Sequence, residues 1–567
     1  MTGGYLIALG PGAAELVSVS LHNRLESLGL YQAFAQKDLK IFAKGPIRVR
    51  EASGLGVILG SLSPRQSSVR EPVDLASLIQ DHWGAYLAVL TPRDQPMGIF
   101  RDPSGAVPAF WFRTGETLVV TDQIDLAARL NLINPVIDWD TLVRDLVYKR
   151  RRGARTGLVG VTELAPGEHL AVNGLSRLAW TPWRYTTADM AFRHLDDAAE
   201  ALREAVELSV RGSAADYSAL SIELSGGLDS SIVAGALRDD PRLSAFNAVS
   251  RDAEGDESVF AVEVAAAMGF PLTMETLDPH LARLEPPSHE LRPARPGRLG
   301  TLSPLNDALA THARQVGAQA FIGGMGGDSV FFYTNSAAPV ADRLRRRGLS
   351  SGLVQTAFDV ARLNNATVWS VADRAWRLAL RPDLDLHRGA DNAFLTCQGP
   401  IQADVHPWMA ARPKGAPPGR QRHVASIAYI MGFLDGHAVR DGLAQLSPLL
   451  AQPIVETVLR TPSWFAVDRG RDRAVARRAF KDVLPGSVLR RRSKGAIDRF
   501  VYEAILANLT EIGEILAGGL LARQGLLDLP KVAEALATPE QLAGPRGQRL
   551  LALADAEYWA RAWSRSD

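Results

Sequence analysis

Three short stretches hold the residues best able to do chemistry. Residues 224–231 read LSGGLDSS, 323–329 read GGMGGDS, and 491–498 read RRSKGAID. In the first, Gly226 and Gly227 let backbone N–H groups approach a ligand closely, and Ser225, Ser230 and Ser231 add hydroxyl donors. Such a set cradles phosphate when a helix begins directly after it. Asp229 sits inside the same cradle. A carboxylate beside phosphate is repulsive unless a cation lies between them, so its presence points to Mg²⁺. The loop has no lysine of the Gly-x-x-x-x-Gly-Lys-Ser/Thr kind and would hold pyrophosphate through short-range donors. A plain tight turn is the alternative reading.

In the second stretch, Gly323, Gly324, Gly326 and Gly327 again allow close backbone approach, and Asp328 supplies a second carboxylate. Alone it would pass for an ordinary strand-end turn. At the same sheet edge as Asp229 it completes a pair suited to one Mg²⁺ bridging phosphates. In the third stretch Lys494, beside Gly495, could stabilise negative charge that develops as pyrophosphate leaves or an acyl group is attacked. By charge alone that stretch reads as a solvated basic loop.

These residues need a frame that brings them together. The pattern predicts strand 219–224, a helix from Ser230, strand 243–249, helix 257–268, strand 272–277, helix 304–317 and strand 318–324. Such alternation means a doubly wound parallel sheet, whose ligands bind at the carboxyl ends of its strands. Upstream, the first ~180 residues read as β-rich, with short strands at 84–90, 96–100, 109–112 and 117–122 separated by turn signals. An amphipathic helix follows from about His194. Beyond about residue 350 the pattern is mainly helical. The insert 284–300, LEPPSHELRPARPGRLG, is expected to be an irregular, mobile loop, either a cover over a substrate cavity or, no less readily, an uninvolved insertion.

Composition narrows the function class. The chain has 567 residues, 46% hydrophobic and 22% charged, with a net charge of +1, so no bulk charge drives it toward nucleic acid or an anionic membrane. The basic runs KRRRGAR (149–155) and RLRRRG (343–348) read as solvated loops or helix faces. One cysteine, Cys397, excludes an internal disulfide and a thiolate metal cluster and reads as a buried structural thiol. No 18 apolar residues run together and the start has no basic leader, so a cytoplasmic protein is expected.

The three motifs, in this order, resemble the asparagine synthetase family of ATP pyrophosphatases, and the resemblance covers nearly the whole chain. LSGGLDSS is similar to that family's pyrophosphate loop, and GDESVFAVEVAAAMGF (255–270) to its Asp-Glu helix segment. RDPSGAVPAFWF, VTDQIDLA and VTELAPGEHLAV resemble its N-terminal amidotransferase domain. The resemblance implies an αββα sandwich over residues 1–190 and a synthetase domain with a helical end over 191–567. It further implies ATP as substrate, a carboxylate adenylated with loss of pyrophosphate, and an amine that displaces AMP. Leu224 and Val249 would line the adenine pocket and Gly324 would approach the nucleotide. Ser225, Gly226, Gly227, Ser230 and Ser231 would bind pyrophosphate, Asp229 and Asp328 would hold Mg²⁺, and Lys494 would stabilise both transition states.

Two departures refine this. Glutamine-dependent members place a nucleophilic cysteine after Met1, where this sequence has Thr2, and Cys397 lies in the other domain. Met325 stands where the family's second loop carries a glutamate, or in β-lactam-forming members a tyrosine. GGMGGDSVF, LSPLLAQPIVETVLRTPSWF (446–465) and GRDRAVARRAF (470–480) resemble the lasso peptide cyclases of the family. That branch implies a precursor peptide as substrate, whose Asp or Glu side chain is joined to its own N-terminal amine. It also implies a leader peptidase and a leader-binding protein as partners. A small-molecule amide ligase of β-lactam or ammonia-dependent type, and an inactive peptide-binding scaffold, are the competing readings.

Overall fold

The computed structural model describes residues 4–564 other than 46, 67, 94–95, 149–151, 188–191, 250–255, 288–290, 298–299, 383, 385–388, 398–403, 435–438, 441–442 and 492–497. Two six-stranded antiparallel sheets come first. One runs Thr162–Glu163, Phe110–Thr114, Thr117–Thr121, Gly4–Leu9, Leu39–Lys44, Tyr31–Gln36. The other runs Ser176–Leu178, Glu168–Ala171, Gly98–Arg101, His82–Leu90, Gly56–Pro64, Val49–Ala52. Alternation along Gly4–Leu9 shows how they stack. Tyr5, Ile7 and Leu9 join Val57, Leu87, Val89 and Ile99 in the core between the sheets. Leu6 points the other way, into a cluster with Leu142 and the C-terminal helix residues Leu550 and Leu553. The outer face of the second sheet, including Ile58 and Tyr86, meets Leu202 and Val206 of the helix Leu195–Ala214. Both sheets are thus buried on both faces, as an αββα sandwich requires, with helices from the C-terminal half closing one side.

The third sheet has the order Leu272–Thr276, Leu243–Val249, Leu220–Glu223, Ala320–Ile322, Leu443–Leu446, Val439–Arg440. Its first four pairings are parallel, and only Val439–Arg440 runs antiparallel to its neighbour. The strands and helices predicted between 219 and 324 are present with ends within two residues of expectation, and the helix expected from Ser230 begins at Leu228. The two strands after 438 interrupt the mainly helical pattern expected there. They are two and four residues long, too short to show a period.

The described parts of the insert 284–300 depart from expectation. Leu284 and Ala294 are buried in the cluster under the first sheet. Arg295 is buried, donates from a terminal nitrogen to the Gly153 carbonyl at 2.8 Å and faces Glu163 at 3.3 Å. Arg292 donates to Asp125 at 2.5 Å. The segment is irregular, as predicted, but pinned by ion pairs to the N-terminal sandwich. Arg152 of the basic run is likewise not solvated. It donates to the Gly432 and Pro296 carbonyls at 2.7 and 2.8 Å and lies over the Phe433 ring.

Candidate active site

Register brings the two glycine loops together. Leu220 and Ile222 pair with Ala320 and Ile322, so the loops leaving these strands at 224–227 and 323–326 emerge side by side. Gly226 turns the first loop at φ 72°, and a Cβ there would meet the Glu257 carbonyl and Phe260 at 2.8 Å. The helix Leu228–Ala236 then starts from Gly227 without a side-chain cap, leaving its first amides available to an anion. The second loop lies flush on this turn. A Cβ on Gly324 would sit 2.5 Å from the Ser230 nitrogen, and one on Gly327 would sit 2.4 Å from the Asp229 carboxyl carbon.

The serines divide into two kinds. The Ser225 and Ser230 hydroxyls lie 3.1 Å apart across the loop. Ser231 is fully buried and donates to the Gly227 carbonyl at 2.7 Å, bracing the turn. Leu224 is buried, and its carbonyl accepts from the Asn247 amide at 2.8 Å, which ties the loop base to the neighbouring strand. Val249 ends that strand and is partly exposed at the same edge. Met325 packs against the central apolar cluster.

Asp229 and Asp328, taken from the sequence as a pair, do converge. Their meeting point is Arg473, which sequence reasoning did not single out. One terminal nitrogen of Arg473 lies 3.0 and 3.2 Å from the two Asp229 oxygens and 2.5 Å from Asp328. Its Nε donates to Asp472 at 2.7 Å. Burial opposes the charge on Arg473, but these three carboxylates outweigh it and push its pKa further up. Asp472 also holds Arg477 at 3.0 Å, and Arg477 donates to the Leu489 carbonyl at 2.9 Å. Arg473 has φ 49°, a left-handed conformation uncommon for a side-chain-bearing residue, held here by that network. Tyr333, exposed at the rim, turns its ring toward the Arg473 guanidinium, 5.8 Å away.

Lys494 lies outside the described residues. The start of its segment does not: Arg491 pairs with Glu257, donates to the Gly226 carbonyl at 3.4 Å and covers the Phe260 ring. The segment therefore enters beside the first loop. Arg491 and Glu257 are further site residues with no signal of their own in the sequence, although they lie within RRSKGAID and GDESVFAVEVAAAMGF.

The donor set fits a divalent cation. Two carboxylates from adjacent strand ends share a single cationic nitrogen, so Arg473 stands where a positive centre belongs. Among the described residues no group of three or more His, Cys, Asp and Glu could ligate a metal. A cation here would complete its shell with phosphate oxygens and water, the usual manner of Mg²⁺. The arrangement combines an uncapped helix start, close-approach glycines, two carboxylates and displaceable arginine charge. It can bind a polyphosphate and stabilise its departure.

No curated protein matches the sequence. The family model for asparagine synthase matches residues 199–561, which span the parallel sheet, both glycine loops, Arg473 and the C-terminal helices. That is more than half of the chain, and the site's geometry agrees with ATP use by that family. The chain belongs to the asparagine synthase family, ATP-dependent ligases that form amides.

Proposed function

We propose that this ligase is a lasso peptide cyclase. It adenylates an Asp or Glu side-chain carboxylate of a leader-processed precursor peptide and joins it to the peptide's own N-terminal amine. The observation that carries the reading is the convergence of Asp229 and Asp328 on one cationic centre beside an uncapped helix start. Two further features bear on the amine. Met325 is packed among apolar side chains and offers neither an acid nor a phenol. Cys397, the single cysteine of this sequence, is half-buried against the cluster that includes the C-terminal helices. An amine carried by the substrate needs no glutaminase thiol.

In this mechanism the first amides of Leu228–Ala236 and the Ser225 and Ser230 hydroxyls orient the β- and γ-phosphates. Ser231 keeps the turn in shape. Asp229 and Asp328 hold Mg²⁺, which supplies charge neutralisation on the phosphates when bound. The substrate carboxylate attacks the α-phosphorus, the bond to pyrophosphate breaks, and an acyl-adenylate forms. Arg473, released from the carboxylates, faces the departing negative charge, and Lys494 is proposed to stabilise it. The peptide amine then attacks the acyl carbon and expels AMP. An α-amine has a pKa of about 7.7–8.0, so part of it is already neutral near pH 7 and no strong base is required. Residues 1–190 serve as an amidotransferase-like part and 191–567 as the synthetase part. A leader peptidase and a leader-binding protein would deliver the peptide in the cytoplasm.

The test is incubation of the purified chain with ATP, Mg²⁺ and a leader-free candidate peptide. A product lighter by one water, with AMP and pyrophosphate in equal amounts, is expected. Amidation of free amino acids by ammonia, or closure of a β-lactam ring with the peptide untouched, would overturn the reading.

A further inference from the structure

The run RLRRRG closes the first helix of a three-helix unit, Ala338–Arg347, Ser351–Leu363 and Val368–Leu380, which carries large apolar side chains on its outside. Its inner faces are built from small residues. Ala341, Ala357, Val360, Val371 and Ala375 pack together with Phe332, four residues after Asp328. Its largest apolar side chains point outward instead. Trp369, Trp376 and Leu380 are 82%, 56% and 67% exposed, and Leu349 in the preceding turn is 88% exposed. Of the eleven tryptophans in the chain, only Trp369 and Trp376 are exposed. They stand seven residues apart, on one face of one helix.

Charge in this unit is one-sided. Between 343 and 381 the chain holds eight arginines and two aspartates, although its net charge is only +1. Asp359 is buried, and Asp373 is paired with Arg377 at 3.0 Å. Arg345, Arg346, Arg347, Arg374 and Arg381 are exposed. Protruding tryptophan and leucine on an arginine-rich unit is the chemistry of a helix lying in a lipid headgroup layer, with indole rings at the boundary and cations on anionic lipid. Side chains exposed to this degree protrude and do not line a groove, which favours insertion over docking of a partner helix. Among the described residues no single helix is long and apolar enough to cross a membrane, so any contact made by this unit is peripheral.

We propose that the outer face of this three-helix unit, centred on Trp369 and Trp376, binds the surface of anionic bilayers. The unit's inner face packs on Phe332, so the enzyme would rest on the membrane through the element adjoining its second glycine loop.

The test is co-sedimentation of the full chain with vesicles of phosphatidylcholine containing phosphatidylglycerol, and with vesicles of phosphatidylcholine alone. Binding to the anionic vesicles only, weakened by added salt, is expected. A Trp369→Ser/Trp376→Ser variant should lose at least tenfold in partitioning while keeping ATP–pyrophosphate exchange and its melting temperature. Arg374→Glu/Arg377→Glu provides a second variant with the same expectation. Failure to bind anionic vesicles at low salt, equal binding to neutral vesicles, or binding unchanged in both variants would overturn the proposal. So would self-association of the chain, or capture of an acidic peptide in place of lipid, abolished by the tryptophan variant.

Discussion

Two arginine–carboxylate networks lie in this molecule, and they are built for different ends. At the strand ends, Arg473 is held by Asp229, Asp328 and Asp472, with Asp328 nearly half exposed. At the seam with the N-terminal sandwich, Arg101 and Arg295 are buried around Glu163 and Asp145. The seam arginines also donate to backbone carbonyls, Arg101 to Leu164 and Gly105 and Arg295 to Gly153. Burial would raise the Glu163 pKa, yet Arg295 and Arg101 hold it down; Asp145, with weaker compensation, is pushed up. The seam network is closed, and its charges fasten irregular chain. The strand-end network gathers three carboxylates on one guanidinium, one of them open to solvent, an arrangement a polyphosphate and its cation can displace.

The largest expected effect separates the two. Asp229→Ala or Asp328→Ala should lower amide formation by on the order of a thousandfold, because each removes a group aimed at transition-state charge. The melting temperature should hardly move, since Arg473 keeps Asp472. Arg295→Met should do the reverse. It removes the ion pair from buried Asp145 and leaves Glu163 with Arg101 alone, and should cost about 3–5 kcal/mol of stability, read by denaturant unfolding, with activity per folded molecule retained. Equal effects of these variants on stability would erase the distinction.

A third prediction concerns the contact between the loops. Gly324→Ala places a methyl 2.5 Å from the Ser230 nitrogen, and the neighbour is backbone that cannot step aside. Turnover should fall by on the order of a hundredfold through displacement of the phosphate loop, with modest loss of stability. Gly317→Ala, at φ 64° but in open space, should affect stability alone.

The smallest effect is a pH dependence. Burial lowers His406 to about 4 and His423 to about 3. A histidine neutral in the fold and protonated when unfolded contributes stability that is present above pH 6.5 and lost as pH falls toward those values. Buried Asp102 and Asp122, raised by desolvation to about 6 and about 7, act in the opposite sense. Their contribution is present below pH 3.8 and lost as pH rises through those values. Thermal unfolding of His406→Gln between pH 6.5 and 4 should show a shallower acid limb than the parent chain.

Much of the strand-end site was legible from sequence because its chemistry is local. Glycine at 226 answers a positive φ, the uncapped helix follows directly, and the strand–helix alternation implies that two loops share an edge. Arg473 was not legible. It is one of many arginines in its stretch, and its partner Asp229 lies 244 residues away. The seam failed for a related reason. Arg152, Arg292 and Arg295 look like solvated charge until the fold supplies buried acceptors drawn from distant segments. The strands at 439–446 are too short to announce themselves and exist because the parallel sheet offers an edge to pair with.

The central claim is that Asp229 and Asp328 serve a site where a carboxylate attacks the α-phosphorus of ATP. The most direct measurement follows heavy oxygen from a labelled side-chain carboxylate of the peptide substrate. The account predicts one labelled oxygen in the released AMP for each macrolactam formed, and no label transfer in Asp229→Ala. Label appearing in inorganic phosphate with ADP, or an unlabelled AMP, would contradict it.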